Sequence, residues 1–417
     1  MDTDDATGRG SRAAAPDAVG PIRVDAEPLH YEPALDGIRA VAVLAVMAFH
    51  FLGAEYFAGG LIGVDVFFVL SGFLITSLLL DEQNRTGAVS LRGFYHRRVL
   101  RLFPAMYTLL ALVAVAAIFI GAEYPSVWAE LGAAALYSYQ IFLGLFGFAT
   151  PDSPRVLFHL WSLSVEEWFY FFWPFLLLLG LRSRARQRTL IAAASAWAGF
   201  WVLVRLSGEA VGVNWTHDDP FVGTGVTYVG EVLYRFSAMR FDQLLVGCLL
   251  AVVVRRYALV ASEPGAPRRR WLDAAAALGT LVLVAELLLA GRVGAFDPFG
   301  SIGFNLALAG IPFAVLWIHL NPRVGPARWL SLPLAVWIGK RAYGLYLWHE
   351  VLNILTPKPA GTAALLVRLV VLVVASMGVA ELSWRFIESP FLRRKSARYG
   401  DRHQDPTAPA APSATTD

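Results

Sequence analysis

Cysteine, lysine and charge are all scarce in this 417-residue chain. A single cysteine, Cys248, excludes a disulfide framework and any thiolate metal cluster. Only 3 Lys stand against 32 Arg, the skew of a GC-rich bacterial genome. Charged residues make up 16% of the chain, against roughly 25% in a soluble protein. The net charge of +3 is too small to point to nucleic acid. There is no Walker loop, no G-x-S-x-G, no H-E-x-x-H and no Cys/His ligand set, so spacing predicts no metal centre. No solenoid-period repeat is visible. The first 30 residues lack a basic stretch followed by a short apolar run, so no signal peptide is expected and the first span acts as the insertion signal.

What is abundant is apolar surface. Hydrophobic residues reach 57%, with 13 Trp, 14 Tyr and 27 Phe. Mean hydropathy is +0.54. These values exclude an ordinary soluble enzyme and a disordered chain. They predict an all-α polytopic membrane protein in a lipid bilayer. A helix needs about 20 apolar residues to cross, and ten segments qualify: 35–53, 61–80, 100–121, 165–181, 189–206, 240–256, 272–291, 302–320, 334–355 and 362–387. Residues 128–148 are apolar but rich in glycine. Cytoplasmic loops collect Lys and Arg, and this decides how 128–148 is read. If it does not cross, the inner loops hold clusters such as Arg97, Arg98 and Arg101, or Arg182, Arg184, Arg186 and Arg188. The outer loops then hold only Arg155, Arg235, Arg292 and Lys358. Ten crossings with both termini cytoplasmic follow. Residues 122–164 become an outer or re-entrant element, tolerated at membrane depth only if buried in protein or lining a water-filled cavity. The expected organisation is a partly disordered tail at 1–34, a membrane domain at 35–390, and a tail at 391–417 that is basic and then disordered. The pattern specifies no oligomeric state.

An ionisable group inside a span costs on the order of 2.5–3.5 kcal/mol on insertion scales, so each is a functional-site hypothesis. In the first span Arg39 and His50 are eleven residues apart. That is close to three helical turns, placing both on one face roughly 16 Å apart. Asp36, one turn below, can pair with Arg39. The plain alternative is a snorkelling arginine and an interfacial histidine. In FHLWSLSVEEWFYFFWP, His159, Trp161, Ser162, Glu166 and Glu167 stand at the mouth of a span. If the helix runs through, His159 and Glu166 share a face, and a carboxylate can hold an imidazole base in one tautomer. The alternative is an aromatic belt with polar flanks. Arg98 and Arg101, one turn apart, fit either a positive-inside anchor or a phosphate clamp. Arg240 and Asp242 open a span at its outer end, and Tyr343, Tyr346 and His349 fall inside or near the outer end of the ninth. Glu381 and Arg385 read as a structural i,i+4 pair. His319 and His30 read as interface or loop residues.

These motifs resemble acyltransferase family 3, membrane proteins that acylate extracytoplasmic sugars and some glycosides. LDGIRAVAVLAVMAFH matches the family's basic-x10-His signature at Arg39 and His50. GVDVFFVLSGFLIT matches its second-span motif, including Asp65 and Ser71. Arg98 and Arg101 match its R-x-x-R, and HLWSLSVEEWFYFFWP its His-x-Trp-Ser stretch with paired glutamates. MRFDQLLVGCLLA, YGLYLWHE and SWRFIESPF follow in the family's order. Trp168 stands where the family often has Gln, and Ala342 where Ser is common. Both changes bear on acceptor contacts.

The resemblance implies an O-acyltransferase using cytoplasmic acyl-CoA, acetyl-CoA foremost, as co-substrate with no permanently bound cofactor. The acceptor is a hydroxyl of a cell-envelope carbohydrate or exported glycoside. His50 becomes the leading base. Arg39, Arg98 and Arg101 lie along the donor path. His159 with Glu166 or Glu167 orients the acceptor or serves as the other base. Asp65, Ser71, Trp161, Ser162, Arg240, Asp242, Tyr343 and His349 support the acceptor side. Some relatives continue into an extracytoplasmic hydrolase-like domain. The expectation is that this chain transfers unaided or hands the acyl group to a separate protein. The rivals are a transporter, whose matched broken helices are not visible here, and a scaffold whose polar residues only lock helices. Within the enzyme reading, the acceptor could instead be a secreted antibiotic-type molecule.

Overall fold

A computed structural model describes residues 31–120, 125–146, 156–210, 237–257, 259, 270–290, 292 and 302–399. Among them every regular element is helical. The main helices, in order, are α1 (Pro33–Leu52), α2 (Ile62–Thr86), α3 (Leu91–Ile120), α4 (Pro125–Ala135), α5 (Tyr139–Phe146) and α6 (Leu160–Leu181). They continue with α7 (Arg184–Ala210), α8 (Ser237–Arg256), α9 (Arg270–Leu289), α10 (Ile302–Leu320) and α11 (Gly325–Leu330). The chain closes with α12 (Pro333–Lys340), α13 (Ala342–Ile354), α14 (Thr362–Ser383) and α15 (Ser389–Tyr399). The tails 1–30 and 400–417, and most of the loop expected at 207–239, lie outside the described residues.

The ten expected spans take three forms. Among the described residues, seven helical segments are long and apolar enough to cross a membrane. Helices α6 and α8 have the length, 22 and 20 residues, but carry charge. The ninth expected span is not one helix. It breaks at Arg341, which has φ −97° and ψ 3° between α12 and α13. At this break the Arg341 guanidinium pairs with Glu381 and lies 4.2 Å from the centroid of the Trp337 ring. Glu381 also pairs with Arg385 at 2.5 Å, as the i,i+4 spacing indicated. The basic segment at the start of the expected tail forms helix α15, reached through a π turn at Trp384–Glu388. Pro390 lacks the N–H that a regular ladder would need there.

Within residues 128–148, those described form two helices joined by a turn, neither long enough to cross a bilayer alone. Helices α4 and α5 have 11 and 8 residues, about 17 and 12 Å at 1.5 Å per residue. They meet at Tyr137, which takes a left-handed φ of 50°. That turn is held deep along α3. The Tyr137 ring stacks on Phe103 at 5.6 Å, Tyr107 donates to the Ala135 carbonyl at 2.8 Å, and Trp168 Nε1 donates to the Tyr137 carbonyl at 3.0 Å. The turn itself is packed against α3 and α6, while Gly132 and Leu136 beside it are exposed. Trp168, which departs from the family pattern, therefore has a structural task. Residues 121–124 and 147–155 lie outside the described residues.

The core is a parallel contact between α2 and α8. Gly72 abuts the Leu244 carbonyl and Gly247 the Val69 carbonyl. A Cβ at either glycine would collide with backbone, which has no rotamer to escape into. Substituting Gly247→Val is expected to cost about 1–3 kcal/mol or more through overpacking. Thermal unfolding of the detergent-purified variant checks this, and an unchanged midpoint would contradict the close-contact reading.

Candidate functional site

Helix α1 begins on Pro33 and ends at Gly53, whose φ of 100° stops it three residues past His50. Its last turn brings His50 against α13. His50 Nδ1 faces His349 Nε2 at 2.9 Å, and the ring centroids are 5.0 Å apart. His349 is fully buried, and its Nδ1 lies 2.7 Å from the Tyr346 carbonyl and 3.2 Å from that of Leu345. A carbonyl only accepts, so Nδ1 carries the His349 proton and Nε2 its lone pair. His50 Nδ1–H then donates to that lone pair, which leaves His50 Nε2 unprotonated. Glu350 Oε2 stands 3.8 Å from His50 Nδ1. It can offset positive charge that builds on the imidazole.

His159 completes a group of three imidazoles. Its ring centroid is 5.5 Å from that of His349, and its Nε2 lies 3.1 Å from the Leu347 carbonyl. Tyr346 donates to the His159 carbonyl at 2.9 Å and meets Ser162 Oγ at 2.6 Å, fixing the turn ahead of α6. The expected His159–Glu166 pairing is not what forms. His159 sits before the first turn of α6 and faces α13, whereas Glu166 points to α2 and accepts from Ser71 Oγ at 2.5 Å. Seven helical residues separate the two by about 10 Å along the axis, so sharing a face does not bring them into contact.

The other end of α1 collects charge. Arg39 binds Asp36 at 3.0 Å, and Asp36 also accepts from Tyr31 at 2.8 Å. Arg98 stacks on the Tyr170 ring at 3.8 Å and acts electrostatically on Glu166 and Glu167. Arg101 is within electrostatic reach of Arg39, Arg98 and Glu388. Three guanidiniums thus converge beside a Ser71–Glu166 contact. Tyr343 belongs here and not near His349. Its hydroxyl donates to the Leu102 carbonyl at 2.7 Å, because six helical residues separate the two by about 9 Å. Glu388, buried and accepting from Ser383 at 3.0 Å, was missed in the sequence because it follows the last apolar run.

Four of the residues expected as acceptor or support groups lie together in buried surroundings. Arg240 pairs with Asp65 at 2.6 Å, and Asp242 with Arg205 at 2.6 Å, all four essentially buried. Trp161 lies 5.8 Å from the Arg240 guanidinium carbon. Asp65, Arg240 and Asp242, with Arg205 and with Trp161 beside them, therefore form a network that ties α2, α6, α7 and α8 together. His319, expected at an interface, is buried and bonded to Glu32 and to the Leu259 carbonyl at 3.2 Å. His30 lies outside the described residues.

Residues 32–384 match the family described as an acyltransferase domain. The chain belongs to acyltransferase family 3. It is 32% identical over 377 residues to the peptidoglycan O-acetyltransferase OatA of Listeria monocytogenes, covering 88% of this chain and 57% of that protein. It is 33% identical over 369 residues to the Bacillus subtilis protein named "Putative peptidoglycan O-acetyltransferase YrhL", covering 86% and 55% respectively. The chain spans a little over half the length of the curated relatives it matches. No solved structure matches it.

One buried arginine in this acyltransferase domain was not singled out in the sequence. Arg368 on α14 donates to the Phe51 carbonyl at 2.9 Å, to Asn353 O and Oδ1 at 2.9 Å each, and to Thr356 O at 2.8 Å. It clamps the carbonyl ends of the two helices that carry His50 and His349. An arginine within LLVRLVV was the available signal. Arg368→Ala strands several buried carbonyls and should cost about 2–3 kcal/mol. Arg368→Lys keeps the charge without the fork and should recover only part of it. Thermal unfolding of the three proteins measures both, and full recovery by lysine would show that charge alone suffices.

Proposed function

We propose that the protein is an integral-membrane O-acetyltransferase that moves an acyl group from acyl-CoA to a hydroxyl of a cell-envelope glycan. The observation that carries this reading is the His50–His349 contact, which leaves His50 Nε2 free to take a proton. The named activity of the relatives, peptidoglycan O-acetylation, sets the acceptor class ahead of a secreted glycoside.

In the proposed reaction the acceptor hydroxyl gives its proton to His50 Nε2 as its oxygen bonds to the thioester carbonyl carbon. The C–S bond breaks, and the departing thiolate takes the proton back. His349 holds the tautomer, and Glu350 stabilises the transient imidazolium. His159 flanks the pair on the acceptor side. Arg39, Arg98 and Arg101 suit the phosphates of the donor, since guanidinium binds phosphate in a bidentate way. The donor enters from the cytoplasm at the Arg39 end, and the acceptor is held at the His50 end outside the plasma membrane. Both termini are cytoplasmic. The acyl-CoA is a co-substrate, and no permanently bound organic cofactor is required.

A positioned base contributes about 10²–10⁴-fold in rate. His50→Ala should therefore remove that factor or more from acetyl transfer while the protein still expresses and inserts. Transfer at the wild-type rate by this variant would refute the assignment. Mass spectrometry of envelope glycans from a deletion strain tests the acceptor. The expected result is a glycan species lighter by one acetyl group, and an unchanged envelope with an altered secreted metabolite would move the acceptor class.

A further inference from the structure

The His50 end of the site has the composition and spacing of a metal centre. His50 Nδ1, His349 Nε2 and Glu350 Oε2 lie within 4.8 Å of one another. Their separations are 2.9, 3.8 and 4.0 Å. The circle through three atoms so spaced has a radius of about 2.1 Å, the length at which zinc binds imidazole nitrogen and carboxylate oxygen. A single ion can thus reach all three ligands with little side-chain movement.

The surrounding contacts are those that metal ligands use. A ligating histidine donates its other N–H to a carbonyl or carboxylate, and ligating carboxylates are themselves hydrogen-bonded. His349 Nδ1 donates to the Tyr346 carbonyl at 2.7 Å, and Asn353 Nδ2 donates to Glu350 Oε2 at 3.2 Å. Among the described residues, Glu350 meets no arginine or lysine at ion-pair distance; its partners there are the two histidines. Lys358 and Arg368 stand farther off and oppose cation entry, so the imidazoles must supply most of the affinity. Two imidazoles and one carboxylate favour Zn²⁺ or a similar transition cation over Ca²⁺ or Mg²⁺.

We propose that His50, His349 and Glu350 bind one divalent transition cation, and that its binding stops acyl transfer. On binding, the His50 proton moves from Nδ1 to Nε2 so that Nδ1 can coordinate. The nitrogen that would accept the hydroxyl proton is then occupied. The inhibitory half rests on the base role proposed for His50; the binding half does not.

The test uses tag-free full-length protein in detergent and Zn²⁺ alone. Calorimetry with elemental analysis should find one tightly held zinc per chain. His349→Ala and Glu350→Gln should each weaken it on the order of 10–100-fold or more, while His96→Ala on α3 should not. Absence of stoichiometric zinc, or equal binding by all four proteins, overturns the site. Should the variants misfold, Co²⁺ added to the wild type decides. Visible absorption of a low-coordinate cobalt centre supports the site, and its absence overturns it. Acetyl transfer should fall over the zinc range that fills the site and return with a chelator. Undiminished transfer by zinc-loaded protein overturns the inhibitory half. A protein that binds zinc but is inactive with and without it would remove the base reading and leave the cation site standing.

Discussion

An ion moved into an apolar interior must find its counter-charge there, because water is not available to supply it. This constraint organises the protein. Asp65–Arg240 and Asp242–Arg205 are each closed at 2.6 Å, with all four side chains buried. They hold α2, α7 and α8 in one arrangement, and the small residues Gly72 and Gly247 let the backbones approach closely enough for it. Arg368 obeys the same rule with a different partner. It spends its donors on the carbonyl ends of helices, where aligned peptide dipoles present negative charge.

These locks explain how a membrane helix can present a histidine accurately. Alone, α1 could rotate or slide. Its Arg39 end is packed against neighbouring backbone, with Gly37 abutting Leu330 and Gly339 abutting Asp36, and its His50 end is tied through Phe51 to Arg368. The broken ninth span serves the same purpose. Because the chain stops at Arg341 and restarts, α13 can angle independently of α12 and deliver Tyr343 to one end of the site and His349 to the other. The two short helices α4 and α5 meet at a turn held beside α3, with Tyr137 stacked on Phe103 and bonded by Trp168.

The two ends of α1 carry different chemistries: convergent guanidiniums at one, paired imidazoles at the other. A group-transfer reaction whose donor and acceptor approach from opposite sides requires that separation. The same imidazole pair, with Glu350 beside it, also has the dimensions of a cation site, so the features that would make His50 a base make it a ligand.

Much of this was legible in the chain itself. Hydropathy settled the helical membrane class, because burying backbone in lipid leaves few options. The one-face relation of Arg39 and His50 followed from helical geometry, and Asp36–Arg39 from its short range. What the sequence could not settle were partners across helices. The His50–His349 contact joins residues 299 positions apart, Asp65–Arg240 joins residues 175 apart, and Arg368 reaches back 317 to Phe51. Spacing along one helix says nothing about which faces meet. Only packing, with its demand that each buried charge be matched, turned His159 toward α13, sent Glu166 to Ser71 and brought Glu350 beside two histidines.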